Sequence, residues 1–240
     1  MANSAQSAAV AAPSLEALLA DWSSMRRDAP FDAQLDQRVL AVLAGNYELA
    51  RRPIELASAD QQAMARHIIE TLITIRDGRG GNPSGEARQI LGEIDALYEA
   101  LAPVADLSIP KLVLCQSVRG FGQYSPIASS AFRSGAPIEF VVYIEVRDFA
   151  TSLRPDGEYE AQFSLKTAVH AANGGIVLEI DDPDIRDHCR TRRRDCFIPR
   201  LVRLPATLAP GEYVVKVSLA DRIGKKVAEA RTTIRLSARS

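Results

Sequence analysis

Cysteine, histidine and tryptophan are scarce in this chain, and lysine is absent before Lys111. Three cysteines, an odd number, do not make the disulfide framework that staples small secreted domains. No apolar run approaches the roughly 20 residues that span a bilayer, so no transmembrane segment is expected. His188, Cys189 and Cys196 lack the second close pair of ligands that structural zinc takes, and no metal is expected. Cys115 alternates with apolar neighbours and reads as core, while a Cys189–Cys196 disulfide is an option only for an exported protein. Each histidine stands apart from any nucleophile motif such as Gly-x-Ser-x-Gly. His67 lies in a helical stripe, His170 ends a strand and His188 sits among charges. No acid–base or cofactor constellation emerges, so the expectation is no cofactor and a protein that is not an enzyme.

Other absences narrow the reading further. The segment Asp77–Gly85 is glycine-rich but lacks the Gly-Lys-Ser/Thr ending of a phosphate loop, and it follows no strand. It reads as a connection between helices. Pro83 excludes Asn82-Pro83-Ser84 as a glycosylation acceptor. Residues 1–13 have no basic start, and their apolar part is only Ala8–Ala12, a poor secretory signal. A disordered tail is expected there. A cytoplasmic location is the default, with an envelope-associated one as the alternative.

What is present is an ordinary soluble composition, 47% hydrophobic and 25% charged, in 240 residues. That length holds one large domain or two small ones. The formal net charge of −1 conceals a division. Residues 1–106 hold 9 Arg and no Lys against 15 Asp and Glu, and residues 107–240 hold 20 Lys and Arg against 15 acids. The first part is therefore acidic and the second basic.

The rhythm of apolar residues changes at the same place. Leu15, Leu18, Leu19 and Trp22 recur at helical spacing, as do Leu35, Val39, Val42, Leu43 and Tyr47. Met64, Ile68, Leu72 and Ile75 form a third stripe, opened by the capping box Ser58-Ala59-Asp60-Gln61. Ile90, Ile94, Leu97 and Leu101 form a fourth. An antiparallel helical bundle is expected over residues 14–105. From Lys111 onward β-branched and aromatic residues rise and turn signals recur. The expected strands are Leu112–Val118, Ile138–Arg147, Tyr159–Ala171, Ile176–Ile180, Phe197–Leu204, Tyr213–Ala220 and Val227–Leu236. In the last two, Tyr213, Val215, Val217 and Leu219 share one face, as do Ala228, Ala230, Thr232, Ile234 and Leu236. Asn173-Gly174-Gly175 marks a hairpin. About seven strands over residues 108–238 predict an all-β immunoglobulin-like sandwich. The fold class is thus α+β in two domains.

Three segments, Leu114–Tyr124, Cys189–Asp195 and Leu208–Leu236, resemble the carboxy-terminal part of a group of uncharacterised bacterial proteins. Those proteins join a helical region to one immunoglobulin-like or fibronectin III-like sandwich. Pro210-Gly211-Glu212-Tyr213 and the hairpin Asp221–Lys226 are also similar to the last two strands of bacterial immunoglobulin-like adhesion and accessory modules. The resemblance implies the fold and brings no activity.

Two segments carry the chemistry that remains. Arg190, Arg192, Arg193 and Arg194 make a local positive field, with bidentate donors for carboxylate or phosphate. Asp181, Asp182, Asp184 and Asp187 precede them and offer self-neutralisation in an inter-strand loop. Calcium binding by these carboxylates is the weaker alternative, since no twelve-residue calcium loop is present. No aromatic residue interleaves the arginines, so no nucleic-acid partner is expected. Arg119, Phe121 and Tyr124 flank Gly120 and Gly122, where glycine permits a bulge and the aromatics pack or face solvent. The expectation is a non-enzymatic protein-binding or assembly protein, its sandwich a platform for a protein partner through these two segments. The rival readings are an enzyme accessory domain or hydrolase with a site between the domains, and a cell-envelope structural module.

Overall fold

The computed structural model describes residues 30–77 and 83–238. The expected tail, the stripe Leu15–Trp22 and residues 78–82 of the glycine-rich connection lie outside the described residues. Two units divide the chain, one ending at Leu101 and one beginning at Ala102.

The first unit contains α1 (Pro30–Ala44), α2 (Tyr47–Ala50), α3 (Ala59–Asp77) and α4 (Pro83–Leu101). Its α3 starts on the reciprocal cap read from the sequence. Gln61 N donates to Ser58 Oγ at 3.2 Å, and Ser58 N donates to Gln61 Oε1 at 2.9 Å. Two of the four amides that open a helix unpaired are thereby satisfied. Ala41, Val42, Ala50, Ile69 and Ile73 form the buried cluster, flanked by Val39, Tyr47, Leu49 and Leu72.

The buried face of α3 is centred on Ala65, Ile69 and Ile73 rather than on Met64, Ile68 and Leu72. The two stripes stand one residue apart on a single wide apolar arc. Spacing alone does not choose its centre; contact with α1 does. Ile75 and Leu43 are correspondingly exposed. The stripe of α4 contributes no buried residue, and Ile94 and Leu101 face solvent.

Among its described residues the second unit has ten strands, against the about seven expected. They are β1 (Ser108–Gly120), β2 (Gln123–Pro126), β3 (Phe132–Arg133), β4 (Ile138–Arg147) and β5 (Ser152–Leu153). The remainder are β6 (Tyr159–Ala171), β7 (Ile176–Cys189), β8 (Asp195–Leu204), β9 (Gly211–Asp221) and β10 (Lys226–Ser237). All seven expected strands recur within this set, and β2, β3 and β5 are short additions. The main difference is β7. It does not stop at Ile180 but runs on through the acidic stretch to Cys189. Pairing with β6 carries it there, from Leu165↔Asp182 to Tyr159↔Cys189. Pro183 is tolerated because β7 is paired on one side only and has an extra residue opposite β6 at that point.

One sheet has the order β2-β1-β4-β8; the other contains β3-β10-β9-β6, with β5 and β7 both paired to β6. Apart from the parallel contact of β3 with β10, the ladders are antiparallel. Alternate residues of both sheets meet in one core. From the first sheet come Phe140, Val142, Ile144, Val146 and Val202; from the second come Phe163, Leu165, Val215, Val217, Leu219 and Ile234. Burying a side chain of this kind contributes about 1.5–3 kcal/mol, so this alternation is what fixes the register. The hairpin at Asn173-Gly174-Gly175 closes as the sequence implies, with Gly174 at φ +84° and Gly175 N bonded to Asn173 Oδ1 at 3.0 Å.

Candidate functional site

The segment Gly120–Tyr124 is a hairpin turn, with Gly120 paired to Gln123 and Gly122 at φ +68°. A bulge alone does not describe it, although the β1–β2 register does shift on either side of Ser117 and Val118. Pairing of β1 with β4 extends only to Cys115↔Val141. Beyond that point the β1–β2 hairpin is no longer paired to β4, and its tip reaches over the outer face of the sheet. Gly122 N donates to Tyr143 Oη at 2.8 Å. Tyr124 lies over Tyr143 with ring centroids 4.5 Å apart, and Phe121 meets the edge of Phe197 at 6.3 Å. Phe197 belongs to β8, two strands away from β1, and stacks on Tyr143 at 5.7 Å.

The fold-back explains an unusual burial. Tyr143 and Glu145 occupy the positions of β4 that alternate with its core residues, yet both are buried. Tyr143 donates to Glu145 Oε1 at 3.0 Å, and Lys111 Nζ lies 3.1 Å from the same oxygen. Burial pushes the Tyr143 phenol up, and the Glu145 carboxylate pushes the Lys111 ammonium up. The carboxylate is thus neutralised by a cation and bonded by a hydroxyl, as a buried charge requires. Cys115, paired with Val141, is buried on this same face and stands apart from the main core. Desolvation raises its thiol. Phe121 and Leu201 remain partly open, at 43% and 39% exposure. Arg119 is also exposed, just ahead of the turn.

Arg190–Arg194 connect β7 to β8, which are edge strands of different sheets. The connection therefore crosses from one sheet to the other. Arg193 pairs with Asp187 at 3.1 Å, and the Arg194 carbonyl accepts the Asp148 amide at 3.4 Å. Two of the other acids bond elsewhere: Asp184 with Arg186 at 3.0 Å, and Asp182 with Arg200 of β8 at 2.7 Å. The last pair links the two sheet edges directly. The acids Asp181–Asp187 thus lie on a strand rather than in the loop where the sequence reading put them. Arg190 and Arg192 are exposed. Phe197 lies three residues beyond Arg194, so the structure brings the aromatic hairpin to the start of the strand that leaves the arginine connection.

The three cysteines are free thiols. Hydrogen bonds from the Thr191 backbone and hydroxyl, and then Arg193, lower the Cys189 thiol to about 7. Burial raises Cys196 to about 12. A second polar cluster on β6 has no signal in the sequence. Glu160 Oε2 lies 3.0 Å from Arg154 Nη1 and 2.8 Å from His188 Nε2, and Gln162 donates to Oε1. The bonds from Gln162, His188 and Arg154 hold this carboxyl at about 2. Among the described residues, no group of three His, Cys, Asp or Glu is placed to hold a metal ion. No described helix is long and apolar enough to cross a membrane.

Sequence reasoning missed Phe197, Tyr143, Glu145 and Lys111. Their positions alternate with core residues and read as a solvent face, and nothing local signals a hairpin folding back over them.

No protein-family model and no curated protein sequence matches the chain. Among solved structures, a β-glucuronidase from Bacteroides uniformis is similar over 52% of this chain, at 13% identity and a TM-score of 0.32. A putative β-galactosidase from Bacteroides fragilis is similar over 52%, at 13% identity and a TM-score of 0.33. The C-terminal domain of Wzt is similar over 57%, at 9% identity and a TM-score of 0.34. The chain spans 13% of the glucuronidase, 16% of the galactosidase and 76% of the Wzt domain.

Proposed function

We propose that this is a non-enzymatic binding or assembly protein whose β unit, an immunoglobulin-like sandwich, is a platform for a protein partner. The contact surface is the outer face of the four-stranded sheet around Phe121, Tyr124, Phe197 and Leu201, rimmed by Arg119 and the Arg190–Arg194 connection. One observation carries the reading: a hairpin is held across its own sheet by the Tyr143 hydroxyl, and it keeps Phe121 at 43% exposure. A rigid aromatic beside arginines is the composition that contributes most at protein interfaces. The helical unit, for which the sequence predicts a small bundle, supplies a second surface in this reading.

The test is site-specific photocrosslinking in cells of the source organism. A benzophenone side chain at position 121 is expected to capture a discrete protein partner, and one at exposed Val227 in β10 is not. Charge reversal of Arg192, Arg193 and Arg194 should reduce that capture severalfold. Equal labelling from positions 121 and 227 rejects the surface, and unchanged capture after charge reversal rejects the role of the arginines.

A further inference from the structure

The helical unit contains a cleft of about 780 Å³, within the size range of small-molecule sites. Its walls come from α1, the segment after α2, and α3. Four of the arginines in an otherwise acidic half of the chain line it: Arg38, Arg51, Arg52 and Arg66. Glu70 is the one carboxylate among its described lining residues, and Arg51 holds that group in a bidentate pair at 2.8 and 3.0 Å.

The remaining cations are differently placed. Arg38 is buried, and its Nε and Nη2 donate to the carbonyls of Arg52 and Pro53 at 3.0 and 3.3 Å. These bonds fix the guanidinium without neutralising it. Burial and the neighbouring Arg52 lower its pKa, with Glu55 opposing. Among the described residues Arg52 pairs with Glu48, one turn away, and both side chains are largely exposed. Such an exposed pair contributes little and yields readily to a better anion. Arg66 is exposed and has no ion pair among the described residues. Ala50, Ile54, Ala65 and Ile69 supply an apolar floor.

We infer that this cleft binds a small molecule bearing one carboxylate or phosphate on an apolar body. The head group would meet Arg38 and Arg66, neither of which has an ion pair among the described residues, and the body would cover Ile54 and Ile69. A fixed, partly desolvated guanidinium is preorganised for bidentate recognition of either head group. The apolar floor selects against small inorganic anions, which gain nothing from it.

The experiment is calorimetric titration of the full chain with decanoate, decyl phosphate, inorganic phosphate and decyltrimethylammonium, each below its micellar concentration. Saturable binding of one or both decyl anions is expected, at least tenfold tighter than inorganic phosphate, with no binding of the cation. The two anion arms decide between carboxylate and phosphate. Arg66→Glu, at an exposed position, should weaken the bound anion at least tenfold while its circular dichroism matches the parent. Arg38→Gln should do the same, read only if its circular dichroism matches the parent. Absence of saturable binding by both anions, equal binding of inorganic phosphate or of the cation, or full affinity in Arg66→Glu overturns the assignment.

Discussion

Gly122 donates its amide to the Tyr143 hydroxyl at 2.8 Å, and this bond fastens a hairpin tip to the outer face of its own sheet. The same hydroxyl donates to Glu145. Replacing Tyr143 with Phe keeps the ring stacking and removes both bonds. The expected cost is about 1–3 kcal/mol, because the Gly122 amide loses its partner and a buried carboxylate loses one donor. Amide exchange at Gly122 should quicken while exchange in β9 and β10 stays unchanged. A Tyr143→Phe protein with parental exchange at Gly122 would show that ring packing alone holds the hairpin.

Asp221 plays the corresponding part at the other end of the unit. Its Oδ1 accepts the amides of Ile223 and Gly224 at 3.0 and 2.9 Å, and its Oδ2 accepts the Ala150 amide at 2.7 Å. Asp221→Ala orphans three amides together and should cost about 3 kcal/mol in urea unfolding. Gly224→Ala should also destabilise, since a Cβ there would stand 2.4 Å from Asp221 Oδ2 and 3.2 Å from Ala150 Cβ. If both variants unfold at the parental midpoint, the turn is not organised by this carboxylate.

Glu160 gives a stability change with a defined sign. Its carboxyl lies at about 2 in the folded protein against an ordinary 4.5. A depressed folded value means the stabilisation is fully present above the unfolded pKa and is lost as pH falls toward the folded one. The loss is therefore expected between about pH 5 and pH 2. The parent should be more stable than Glu160→Gln at neutral pH, and the gap should close on acidification through that window. A gap that stays constant from neutral pH down to about pH 3 would contradict the assignment.

Thiol chemistry should discriminate among the three cysteines. Cys189, lowered to about 7 and partly exposed, is half thiolate near neutrality. Cys196, raised to about 12, and buried Cys115 are protected. Brief iodoacetamide treatment of the native protein should label Cys189 first, by at least tenfold in peptide mass spectrometry. Arg193→Gln should slow that labelling by raising the thiol. Comparable labelling of Cys196 in the folded protein would count against the described packing.

How much of this was legible beforehand differs from element to element. The strands β9 and β10 could be read residue by residue, because each buries one face against the core and leaves the other in water, so sequence period and burial coincide. The cap on α3 was legible for a similar reason, since both partners lie within four residues. The extent of β7 was not. Its acidic second half lacks strand character and is held extended by pairing with β6, a ladder set by residues far away in the chain. The hairpin Gly120–Tyr124 was recognisable as a glycine-permitted irregularity, but the direction of its fold was not.

The sequence by itself determined the switch from helical to pleated rhythm near Pro110, the alternation that builds the β core and the residues at most turns. All of these are short-range consequences of backbone geometry and side-chain period. Only tertiary structure decided that the β1–β2 hairpin covers Tyr143, that Arg200 closes on Asp182 between two sheet edges, and that four arginines converge on one helical cleft. Such pairings depend on which surfaces meet after folding, and the free energy that selects them comes from burying groups distant in sequence together.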